Sequence, residues 1–155
     1  MTNSARIDPT SGRAANSGFV RARTASRWLL AIAYFLVGVE HIRSPHGFVS
    51  IVPGWVPFPQ ETVFVTGLCE LAGSIALLTR RLRWWAGVML AAYAVCVYPA
   101  NVNHAINNIP VGGASLGWWY HGPRLAAQPL IVWWALFAGE VTLWPFRRRR
   151  GSAAA

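Results

Sequence analysis

The sequence predicts an all-α fold, a four-transmembrane-helix up-down bundle with both termini cytoplasmic. Three observations predict it: a shortage of charge, a one-sided distribution of arginine, and tryptophan at the ends of the apolar stretches. Only 12% of the chain is charged, 54% is apolar and nine residues are Trp, whereas a soluble domain carries about 25% charged residues. If four helices alternate in direction, twelve of the fourteen arginines fall on one side: Arg6, Arg13, Arg21, Arg23 and Arg27, then Arg80, Arg81 and Arg83, then Arg147 to Arg150. Only Arg43 and Arg124 lie opposite. Cytoplasmic loops carry this excess, so both ends are placed inside. Trp28, Trp84, Trp85 and Trp144 then mark the inner interface, and Trp55, Trp118, Trp119 and Tyr120 the outer one. A soluble four-helix protein with a Trp-rich core would give no reason for the arginine split.

Residues 1–24 are rich in Ser, Ala, Gly, Asn and Arg without apolar periodicity, which reads as a solvated, disordered cytoplasmic tail. The first span follows this polar tail and has no small-residue cleavage site after it, so no secretory signal is expected. Spans are expected at about Ser26 to Ile42, Val63 to Leu78, Trp84 to Ala100 and Leu125 to Trp144. The first three are close to the shortest stretch that crosses a bilayer, about 17 residues. Between the first two, residues 44–60 carry prolines at 45, 53, 57 and 59, which exclude a regular helix interior. The apolar residues between these prolines suit a segment lying along the interface as a partial lid. A second outer loop, about Val102 to Pro123, is polar and glycine-rich before it reaches Trp118. Residues 25–146 thus form the membrane domain. Residues 147–155 form a basic tail whose arginines suit an anchor on anionic headgroups better than a nucleic-acid arm.

Five acids occur in the chain, and Glu40, Glu70 and Glu140 sit inside its apolar stretches. A carboxylate in the hydrocarbon layer costs about 2.5–3.5 kcal/mol on insertion scales, so such groups turn inward and mark sites. At about 1.5 Å of rise per residue, Glu40 comes at the outer end of the first helix, Glu70 halfway along the second, and Glu140 near the inner arginines. Tyr93, Val97, Asn101 and His104 follow at three- and four-residue steps on the third helix, and Gln128 reaches similar depth on the fourth. A pocket of Glu40, His41, Asn101, His104 and Gln128, with Glu70 and Tyr93 below, is therefore expected. Thr66, Gly67, Gly73 and Ser74 share a small, polar face with Glu70, which admits a neighbouring backbone. Glu70 is then either a hydrogen-bonded packing element or a proton, cation or ligand site. Glu40 and His41 point about 100° apart, so they cannot both face one partner. Glu140 is expected to pair with the inner arginines.

Other chemistry is poorly supported. His41, His46, His104 and His121 lack a ligand-pair spacing, so no metal site is expected, and His46 and His121 read as interfacial loop residues. Cys69 and Cys96 lack a Cys-x-x-Cys spacing and read as small apolar fillers of a dry interior, with a redox thiol pair as the alternative. No phosphate loop, haem-attachment motif or serine nucleophile elbow is present.

Several segments together carry a family resemblance: Gly38-Val-Glu-His41, Ile51-Val-Pro-Gly-Trp-Val-Pro57, Thr66-Gly-Leu-Cys-Glu-Leu-Ala-Gly73, Arg80-Arg81-Leu-Arg83, Tyr98-Pro-Ala-Asn-Val-Asn103, and Arg124-Leu-Ala-Ala-Gln-Pro129 followed by Trp133 and Trp134. In order and spacing they resemble the DoxX family of small bacterial membrane proteins, over about residues 26–145. The resemblance implies a four-helix bundle in the bacterial cytoplasmic (inner) membrane. It also implies a redox-related setting, since relatives are linked to quinone-coupled sulfur oxidation, methylamine metabolism and thiol or oxidative-stress defence. The leading expectation is a subunit that is not a stand-alone enzyme and that presents its outer pocket to a quinone, another small ligand, a redox-protein partner or a second copy of itself. A small proton-coupled transporter using Glu70 is one alternative. A membrane enzyme acting on a lipid-like substrate through Glu and His is another.

Overall fold

A computed structural model describes residues 9–110 and 113–145, with side chains from Ser17 onward. The Arg147 to Arg150 cluster lies outside the described residues. Five helices follow in order: α1 (Pro9–Arg43), α2 (Pro45–Val49), α3 (Pro59–Leu78), α4 (Arg83–Ile106) and α5 (Trp118–Ala138). The fold of the described residues is helical. Each long helix packs against two others, α1 against α3 and α5, and α4 against α3 and α5, so the four close into a ring.

Three helical segments are long and apolar enough to cross a membrane: Ser17–Arg43, Pro59–Leu78 and Arg83–Ile106. Their outward faces are apolar as well. Leu29, Ile32, Phe35 and Leu36 on α1, Phe64, Val65, Leu68 and Ile75 on α3, and Met89 and Val95 on α4 are all exposed. A soluble monomer rarely leaves so large a contiguous apolar surface uncovered, whereas lipid covers it without penalty. α5 has the length of a span but not the hydropathy, because His121, Arg124 and Gln128 interrupt its apolar run.

One half of the ring is solid. Leu30, Ala31 and Tyr34 of α1, Leu77 of α3, Ala86, Leu90 and Ala91 of α4, and Ala135 and Ala138 of α5 form the buried core. Small residues let the backbones meet there. A Cβ on Gly87 would come within 2.8 Å of the Gly139 Cα, so α4 and the end of α5 touch main chain to main chain.

Several boundaries differ from those the sequence suggests: α3 begins at Pro59, α4 runs on to Ile106 and α5 begins at Trp118, so helix takes up both ends of the expected second outer loop, and two further differences share one group of contacts. α1 begins at Pro9 and includes most of the segment expected to be a disordered tail. Its early turns are held from afar: Arg23 Nε donates to the Phe137 carbonyl at 2.8 Å, and Arg27 Nε to the Ala138 carbonyl at 2.9 Å. These guanidinium groups cap the last carbonyls of α5, where the helix dipole also favours a cation. α5 accordingly stops at Ala138 and does not continue to Trp144, and Glu140 follows with φ 66°, a left-handed conformation that cannot extend the helix. Glu140 thus lies beyond the helix. Its Oε1 accepts from Arg27 at 2.6 Å and from Arg83 at 2.9 Å, which ties α1, α4 and the end of α5 together.

Partial burial opposes ionisation of Glu140, but the hydrogen bond from Arg83 and the charges of Arg27 and Arg83 prevail and hold its carboxyl below the ordinary range. A carboxyl depressed on folding adds stability above its unfolded pKa and loses that contribution as the pH falls through its folded pKa. Glu140→Gln should therefore lower the unfolding temperature in detergent at neutral pH. The gap to the wild type should narrow as the medium is acidified toward about pH 3, as followed by thermal scans.

Candidate functional site

The other half of the ring is hollow. A cavity of about 660 Å³ lies between α1, α3, α4 and α5, with Phe48, Ile51, Val52, Pro53, Trp55 and Val56 forming one wall. The proline-rich connection is thus folded against the bundle, and part of it is the short helix α2. Helical spacing supplies the remaining walls: Leu30, Tyr34, Val37 and His41 from α1, Thr66 and Glu70 from α3, Tyr93, Val97 and Asn101 from α4, and Arg124, Gln128 and Ile131 from α5.

Two polar groups of residues flank this apolar space. At the first, Glu70 is 3% exposed, and Tyr93 donates its hydroxyl proton to Glu70 Oε1 at 2.8 Å. His41 Nδ1 sits 3.0 Å from Glu70 Oε2 and 2.9 Å from the Val37 carbonyl. A carbonyl only accepts, so Nδ1 carries a proton and donates it to Val37, with Glu70 Oε2 close beside that bond. Phe48 stacks on the His41 ring with centroids 3.8 Å apart, and Tyr34 meets Tyr93 edge-on at 6.1 Å.

A close helix crossing sets the first group. A Cβ on Gly38 would stand 3.0 Å from the Gly67 carbonyl oxygen and 3.1 Å from the Glu70 Cβ, and one on Gly67 would stand 2.8 Å from the His41 Cβ. Glycine at both positions lets α1 and α3 approach until His41 reaches Glu70. The small, polar face of α3 therefore turns inward, with Gly67, Glu70 and Ser74 buried.

The second group is built on α4 and α5. Arg124 donates to Asn101 Oδ1 at 2.6 Å and to His104 Nδ1. Asn101 donates in turn to Gln128 Oε1 at 3.3 Å, and Gln128 Nε2 donates to the Ala94 carbonyl at 2.6 Å. His121, 1% exposed, packs edge-on against His104 with ring centroids 4.6 Å apart. Neither of its ring nitrogens has a hydrogen-bond partner among the described residues.

Of the residues expected from sequence, His41, Glu70, Tyr93, Asn101 and Gln128 line the cavity, and His104 is buried just behind Arg124. Glu40 does not join them. It is exposed and does not line the cavity, turned about 100° from His41 around α1. Sequence reasoning missed Tyr34, Arg124 and His121. Tyr34 was legible as one member of a seven-residue step to His41, and Arg124 as the i−4 neighbour of Gln128. His121, expected in an interfacial loop, is buried in the first turns of α5. Cys69 and Cys96, expected as interior fillers, are free and exposed.

A Gly67→Val substitution should push α1 away from α3. Overpacking of this kind costs about 1–3 kcal/mol, so thermal scans in detergent should show a clear loss of stability. Gly54→Ala, with no atom within 4 Å of the added methyl, should leave the unfolding temperature unchanged.

A family model described as "Domain of unknown function (DUF8561)" matches residues 30–139. No curated protein and no solved structure matches the chain.

Proposed function

The chain belongs to the DUF8561 family, and we propose that it is a DoxX-like integral membrane protein of the bacterial cytoplasmic membrane that binds a small amphipathic ligand. By family resemblance the ligand is a quinone, and the protein serves as an accessory subunit of a redox-related membrane system. In this reading α5 is the fourth span and both termini are cytoplasmic. Support for the topology comes from the 21-residue length of α5, about 30 Å of helix, from its place in the ring, and from the one-sided arginines.

The cavity carries the proposal. Its volume of about 660 Å³ lies within the range of small-molecule sites, about 300–1,000 Å³, and its walls are apolar apart from a few convergent polar groups. A quinone fits this donor set. Arg124, Asn101 and Gln128 would donate to one ring oxygen, while His41 and Tyr93 would border the far end of the ring and the apolar walls would take the tail. When bound, such a ligand supplies two-electron, two-proton redox chemistry. The chain itself contributes binding, exclusion of water by Phe48 and its neighbours, and a carboxyl at Glu70 able to hold a proton.

The buried Glu70, contacted by His41 and Tyr93 from two other helices, also favours a second reading, a small proton-coupled transporter in which Glu70 carries the exchanged proton. Four helices would then need to dimerise to enclose a path.

Purification in mild detergent followed by mass analysis of the copurifying lipid and protein separates these readings. The ligand-binding reading expects a quinone or a stable partner subunit with the wild type. It also expects retained quinone to drop with His41→Ala and, by about three- to tenfold for one lost hydrogen bond, with Asn101→Ala. A wild type free of small molecules and partners, which dissipates a proton gradient in liposomes only while Glu70 is intact, would establish the transporter instead.

A further inference from the structure

We infer that the ligand of this cavity carries an acidic group, a carboxylate or phosphate, which is received by Arg124. The inference rests on the cavity being a ligand site, but not on the ligand being a quinone.

Arginine stays charged under all conditions met by a protein and can only donate hydrogen bonds. Arg124 lines the cavity, yet its partners are neutral acceptors, Asn101 Oδ1 and His104 Nδ1, together with the face of the Tyr120 ring at 5.9 Å. Because the guanidinium only donates, His104 Nδ1 must be an acceptor and is unprotonated. No carboxylate among the described residues answers the charge. Among the described residues the ion pairs are Arg27 and Arg83 with Glu140, and His41 with Glu70. Glu70 is held by His41 and Tyr93 in the other polar group, and Glu40 and Glu61 are exposed and make no ion pair.

A cation in a low-dielectric wall without a counter-charge is costly, and Arg124 retains spare N–H donors beside the apolar space. A planar guanidinium matches a carboxylate or phosphate in a two-pronged fashion that a neutral oxygen cannot reproduce. The apolar walls exclude a bare inorganic anion as the natural occupant and select an amphiphile: an acidic head at Arg124 with a hydrocarbon or ring body reaching toward Tyr34 and Tyr93. The bound anion would complete the charge balance that the described residues leave open.

The test uses the full chain in nanodiscs of zwitterionic lipid, with four probes of equal chain length: dodecanoate, dodecyl phosphate, dodecanol and dodecyltrimethylammonium. Calorimetric titration should show one or both acids binding at least about tenfold more tightly than dodecanol, with the cation weakest. Preference for the phosphate points to a lipid phosphate as the source, and preference for the carboxylate to a free fatty-acid-like molecule. Arg124→Gln should erase the preference for acid over dodecanol, and Arg124→Lys should retain part of it. The wild-type ranking stands as a test even if Arg124→Gln does not fold. Acids and alcohol binding equally to the wild type would overturn the inference and leave the cavity as an amphiphile site. Failure of all four probes to bind would overturn both.

Discussion

The structure depends on one constraint: the outer faces of its long helices are fit for hydrocarbon and not for water. Leu29, Phe35, Leu68, Ile75 and Met89 point away from the ring, which inverts the burial pattern of a soluble bundle. Hydrophobic burial therefore cannot hold the helices to one another. That task falls to small residues and to polar contacts between helices. The crossings at Gly38 with Gly67 and at Gly87 with Gly139 bring backbones together, and Arg23, Arg27 and Arg83 fasten the end of α5. Alanines packed with Leu30, Tyr34, Leu77 and Leu90 fill one half of the ring, and the cavity occupies the other.

The same constraint divides the polar residues of the open half by charge. Glu70 is met by His41 and Tyr93, while Arg124 is met by Asn101 and His104, with Gln128 joined to Asn101. The acid and the base remain apart across an apolar space. A direct pair between them would have neutralised both and removed the reason for a cavity with two different polar flanks. The separation makes the site directional, so that an asymmetric ligand would have a preferred orientation within it.

Much of this could be read from the residues alone. The apolar stretches of α1, α3 and α4, the inward face of α3 around Glu70, and the stripe Tyr93, Val97, Asn101 all follow from helical spacing and the cost of charge in lipid. What stayed hidden depends on contacts between distant parts of the chain. The early turns of α1 have no apolar period, and Arg23 finds its acceptor 114 residues away. The run Val141 to Trp144 looks like a continuation of α5, but Gly139 packs on Gly87 and Glu140 turns back to Arg27 and Arg83. Arg124 reads as a topological exception until α4 supplies its partners. Spacing showed that Glu40 and His41 could not both face one partner, and the crossing at Gly67 brings His41 to Glu70.

Cys69 offers the most direct measurement of the central claim, because it is exposed on the outer face of α3 next to Leu68. In a Cys96→Ala variant, leaving a single thiol, membranes prepared without detergent would be treated with a charged, water-soluble maleimide. Lipid coverage predicts that Cys69 stays unmodified until the membrane is dissolved in a denaturing detergent, and then reacts fully. Complete modification before detergent is added would place that face in water and contradict the account.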